Sequence, residues 1–121
     1  MIALIGIGGS LGAIARFYIG LVVNQNYQGK FPLGTFTINL IGSFLLGLLA
    51  GNYLSNQLSE WAWYLFGIGF MGAFTTFSTF GYETIMLLNA GFKKKAILYV
   101  SLSILLGLLA AYIGFSINFL V

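Results

Sequence analysis

The chain has 121 residues, 60% of them hydrophobic and only 6% charged, with a net charge of +3. Soluble domains carry about 25% charged residues, so this composition excludes an ordinary soluble surface and points to a membrane protein. There is no cysteine and no histidine, and Glu60 and Glu83 are the only carboxylates, which excludes thiolate and imidazole metal sites, carboxylate dyads and nearly all enzyme chemistry.

A membrane-crossing helix needs about 20 mostly apolar residues, and four stretches qualify. The first spans about residues 2–23. It lacks the basic start of a cleaved leader and its apolar run is too long for one, so it is expected to remain as a helix. A polar loop, 24–31, follows. The second stretch opens at Pro32, a residue suited to a helix start, and runs to about residue 54. The third covers about 61–89 and the fourth about 96–120, separated by a turn at 90–95. The predicted fold is an all-α membrane protein of four transmembrane helices in a single domain, 1–121. Trp61, Trp63, Tyr27 and Tyr53 stand near span ends, where aromatic belts form.

Charge sets the orientation. Lys30, Lys93, Lys94 and Lys95 fall in loops one and three, Arg16 leans the same way, and the termini and loop two hold no Lys or Arg. The positive-inside rule puts loops 24–31 and 90–95 in the cytoplasm. So few basic residues do not form a nucleic-acid surface. Glycine is frequent, at 17 residues, and pairs such as Gly8 with Gly12, Gly47 with Gly51 and Gly107 with Ala111 have the spacing of close helix packing.

Polar residues at membrane depth carry the functional signal, because they cost free energy unless paired or wetted. The densest set lies in the third span, Gly69 to Glu83. Gly72 to Thr76 falls near the bilayer midplane, where glycines and adjacent β-branched threonines weaken a helix. A break there frees backbone carbonyls, tolerated only inside protein or beside a cavity or ion, and inward carbonyls suit a hard cation such as Na+. Beyond the break, Thr75, Ser78, Thr79 and Tyr82 give a hydroxyl stripe, and Phe74, Phe77 and Phe80 an aromatic one. Hydroxyls donate to an anion and phenyl edges are electropositive. In the second span, Asn39 adds amide donors between Thr35 and Ser43, one helical turn away on either side. Arg16 and Glu83 lie toward the basic side, placed to snorkel or to pair. Tyr99, Ser103 and Ser116 on the fourth span are candidates to line a pathway, although such hydroxyls are common in membrane helices.

Gly8 to Phe17, then Gly34-Thr35-Phe36 through Asn39 and Gly42-Ser43-Phe44, then Gly69 to Phe80, resemble the bacterial fluoride channel family (Fluc, also called CrcB) over all four spans. The resemblance implies an antiparallel dimer in the bacterial plasma membrane, with two fluoride pores and one central, non-transported Na+. It implies passive export of fluoride and no enzymatic activity. Position by position, Phe77 and Phe80 match the paired pore phenylalanines and Asn39 the pore asparagine. Ser78 and Thr79 match the neighbouring hydroxyl positions, and Gly72 and Thr75 the Na+-binding carbonyls. Arg16 and Glu83 match charged positions of the pattern. One departure stands out: a subunit inserting both ways needs balanced loop charges, and this chain is biased. A single orientation, paired with an oppositely biased sister subunit, is therefore an alternative to a homodimer.

Two other readings compete. A proton-coupled exporter of cationic compounds needs a carboxylate deep in the membrane, and spans one, two and four contain none. A non-transporting assembly subunit has no need of the broken third span or of Asn39, Phe77 and Phe80 together.

Overall fold

The computed structural model describes residues 1–25, 27, 29 and 31–120, the last three by backbone alone. Every regular element among them is helical. Helix α1 (Ile2–Gln25) and α2 (Leu33–Leu54) are continuous. The third pass is built in pieces: α3 (Glu60–Ala62), a π-helical segment (Trp63–Met71), α4 (Gly72–Phe74) and α5 (Ser78–Asn89). Helix α6 (Lys93–Leu120) completes the chain. Among the described residues, three helices, α1, α2 and α6, are long and apolar enough to cross a membrane.

Glycine contacts set the topology. Gly8 and Gly12 of α1 lie directly on the Leu65 and Phe70 carbonyls of the π-helical segment, so close that a Cβ at either would overlap backbone. A π-helix carries one extra residue per turn, and two side-chain-free positions one turn apart accommodate its wider backbone. Gly47 of α2 lies equally close to the Ala111 carbonyl of α6. The Gly8 and Gly12 contacts run α1 parallel to the third pass, and Ser43 beside Gly107 with Gly47 beside Ala111 runs α2 parallel to α6. Asn24 beside Gly34 and Gly20 beside Ile38 make α1 and α2 antiparallel, so loops one and three share one end.

The buried core is small and lies in two clusters: Ile38, Met71 and Phe74 on one side of the break, and Leu87, Ala96 and Tyr99 on the other. Large apolar side chains such as Ile14, Phe17, Leu105 and Leu108 are exposed, as expected of surfaces that face lipid or another chain rather than water.

Several boundaries differ from those read in the sequence. Helix α1 continues to Gln25 and the third pass begins at Glu60. The turn before α6 is only Ala90 to Phe92, because Gly91 adopts a φ of 87° and reverses the chain within those residues. Lys93, Lys94 and Lys95 therefore form the first turn of α6 rather than a loop. Lys95 Nζ lies 4.9 Å from the centre of the Phe92 ring, a cation–π contact that offsets positive charge at a helix N-terminus. Lys30, counted with loop one, lies outside the described residues.

Candidate functional site

The third pass is interrupted at Thr75 to Phe77. Gly72, expected within the break, is still helical in α4. Thr75 is extended, with φ −76° and ψ 155°. Its hydroxyl donates back to the Met71 carbonyl at 3.0 Å, and its amide reaches the same oxygen at 3.1 Å.

Asn39 holds the break open. Its Nδ2 donates to the Thr76 carbonyl at 3.0 Å, and the Thr76 amide donates to its Oδ1 at 2.9 Å. The side-chain amide thus replaces both backbone partners that a helix would give Thr76. In a continuous helix the Thr76 amide would bond to the Gly72 carbonyl. The Thr79 amide would likewise bond to the Thr75 carbonyl, and it is turned instead to Thr76 Oγ1 at 3.3 Å. These diversions release the two carbonyls expected to bind a cation, those of Gly72 and Thr75. Gly72 also faces open space on the chain surface.

A pocket of about 340 Å3 opens beside the break, lined by Asn39, Ser43, Thr75, Thr76, Phe77, Phe80 and Ser103 with Leu46 and Ile104. Among the described residues, no Lys, Arg, Asp or Glu lines it. Asn39 has two N–H donors and spends one on Thr76. The Ser103 hydroxyl is buried and has no hydrogen-bond partner among the described residues. Phe77 is 83% exposed in the single chain. Its ring centroid is 6.0 Å from that of Phe80, and Phe80 in turn lies 5.0 Å from Tyr99, which is fully buried. Phe31 extends this aromatic series at 5.4 Å from Tyr99, edge to face.

The structure brings Asn39, Phe77 and Phe80 together in this pocket. Ser78 and Thr79 are not in its lining. Thr79 lines a second pocket of about 290 Å3 with Arg16, Asn24, Thr35 and Thr76, so Thr76 separates the two spaces. The single aromatic stripe expected after the break is split: Phe74 is buried before it, stacked on Phe70 at 5.8 Å, while Phe77 and Phe80 follow it. The change from helical to extended backbone at Thr75 destroys the helical phase that linked them. Glu83 takes its hydrogen bond from the Thr35 hydroxyl rather than pairing with Arg16. Ser43, expected on one polar face with Asn39, and Ser103, a candidate pathway residue, both line this pocket, and tertiary packing places them opposite the phenylalanines.

Comparison with known proteins identifies the family. The family model described as CrcB-like protein, Camphor Resistance (CrcB), matches residues 3–115. A relative from Carboxydothermus hydrogenoformans, named Fluoride-specific ion channel FluC 1, is 49% identical over 86% of this chain and 81% of its own. Fluoride-specific ion channel FluC 2 of Clostridium acetobutylicum is 44% identical over 92% of each chain. Fluoride-specific ion channel FluC of Shewanella frigidimarina is 42% identical over 93% of this chain and 91% of its own. Ion channels are a non-enzymatic class, in keeping with the lack of catalytic groups in the sequence. The chain belongs to the CrcB-like family.

Proposed function

We propose that this chain is a subunit of a fluoride-selective channel of the plasma membrane, with the pocket between α2, the break, α5 and α6 as a station on the anion path. The observation that carries this reading is the lining of that pocket. Spare donors from Asn39 and Ser103 and the phenyl edges of Phe77 and Phe80 surround a space with no fixed charge. Fluoride holds water strongly, so a selective path must return hydrogen bonds as the shell is shed; amide and hydroxyl donors do this. Ring edges add weak positive potential. The lack of a basic residue lets the ion leave, as conduction requires.

The broken pass crosses the bilayer as a fourth span in this reading, and the single transmembrane domain covers the chain. The Gly72 and Thr75 carbonyls hold a structural Na+, completed by the same pair from a second, antiparallel subunit. Hard carbonyl oxygens are the donor type such an ion takes, and their release from helical bonding supports the fit. The ion supplies positive charge that holds the freed carbonyls of two chains together. The path carries fluoride passively outward, since an interior-negative potential contributes about 2.3 kcal/mol per charge per 100 mV. The clustered lysines place loops one and three in the cytoplasm and favour one orientation. The opposite half then comes from a second copy in the reverse orientation or, given this bias, from an oppositely biased sister subunit.

The test is fluoride efflux from liposomes carrying this chain alone, with a chloride electrode in parallel. Fluoride release without chloride release is expected of a chain that supplies both orientations. Release only after a sister chain is added supports the two-subunit form. Equal release of both anions, or no release in either setting, rejects the channel reading.

A further inference from the structure

Gly42 is buried on α2, one turn beyond Asn39, and faces the break. A Cβ built there falls well inside contact distance of the Thr75 methyl, Cγ2, with Phe74 Cδ2 next at 3.4 Å. The threonine cannot yield easily. Its side chain is β-branched and stiff at χ1. Its hydroxyl is tied to the Met71 carbonyl at 3.0 Å, so rotating the methyl away breaks that bond. Its amide is tied to the same carbonyl, and the next residue is clamped by Asn39. A side chain at position 42 must therefore displace Thr75 itself, and the Thr75 carbonyl moves with it.

We propose that Gly42 is a positioning residue of the cation site: the space it leaves on α2 seats the Thr75 methyl and so fixes where the Thr75 carbonyl points. This rests on the reading of the Gly72 and Thr75 carbonyls as cation ligands. Helix α2 then governs the break from two points. Asn39 holds Thr76, and Gly42, one turn on, admits Thr75.

The test is thermal unfolding of the purified assembly over a Na+ titration, with a bulky organic cation holding ionic strength constant. Binding to the native state alone raises stability with Na+ concentration, which yields an affinity. Gly42→Ala is expected to weaken Na+ binding about tenfold or more, the scale found when a group supporting a metal ligand is disturbed. The double variant Gly42→Ala with Thr75→Ser removes the obstructing methyl but keeps the hydroxyl that reaches Met71, and is expected to restore the affinity. General damage to helix packing would not be repaired by deleting that one methyl. Unchanged Na+ affinity in Gly42→Ala overturns the proposal, as does failure of the double variant to recover it. If Gly42→Ala does not fold, a double variant that folds and binds Na+ supports the proposal, and one that also fails to fold overturns it. Absence of Na+ stabilisation in the unsubstituted assembly rejects the cation reading itself, an outcome distinct from unaltered binding in the variant.

Discussion

Asn39→Ala removes both bonds to the Thr76 backbone and leaves its N–H and C=O without their partners. Thr76 is only 8% exposed, so little water can replace them. A buried polar group stranded by truncation costs about 1–3 kcal/mol, and two such groups give about 2–6 kcal/mol. Recovery is limited because the alternative partners lie in a re-formed helix. Forming it requires Thr75 to leave its extended conformation and the Gly72 and Thr75 carbonyls to be capped again. The variant is thus expected to lose stability and to close the break. Reversible unfolding in mixed micelles measures the first effect, and fluoride efflux from liposomes measures the second. A stability change under about 0.5 kcal/mol, the range of ordinary surface substitutions, together with unaltered efflux, would refute the reasoning.

Three further outcomes are expected. Phe80→Ile keeps an apolar side chain against Tyr99 but removes the ring edge from the pocket; efflux should fall about tenfold, equivalent to ~1.4 kcal/mol on the barrier, while the assembly elutes unchanged on size exclusion. Gly12→Ala drives a methyl into the Phe70 carbonyl of the π-helical segment and should cost about 1–3 kcal/mol of stability by overpacking, measured by the same unfolding titration. Replacing Lys93, Lys94 and Lys95 with glutamine removes most of the positive bias at that end; labelling of the termini in intact cells should change from one orientation to a mixture, and a retained single orientation contradicts the charge argument.

The sequence made the long helices legible because apolar length is the whole signal for α1, α2 and α6. It also located a break near Gly72 to Thr76, but placed Gly72 inside it. Propensity marks a weak stretch without marking the residue at which bonding changes. That residue is held by Asn39, 37 positions away, whose side-chain amide bonds to both backbone groups of Thr76. The π-helical segment left no trace in the apolar pattern, and the close approach of Gly8 and Gly12 that accommodates its wider backbone comes from another helix. Phe77 and Phe80 were recognisable as a pair, yet their separation from Phe74 depends on one extended residue. Ser43 shares a polar face with Asn39 in the sequence, but the packing of α2 against α6 is what brings it and Ser103 into one pocket with the phenylalanines. Lys93 to Lys95 looked like loop residues because charge suggests water; Gly91 makes the turn so short that they begin a helix.

The central claim is selective fluoride conduction, and the reversal potential of the reconstituted assembly tests it most directly. With fluoride and chloride on opposite sides of a planar bilayer in unequal amounts, the account predicts a current that reverses at the equilibrium potential of fluoride and ignores changes in chloride. Reversal that follows chloride, or a current carried by cations, would contradict it.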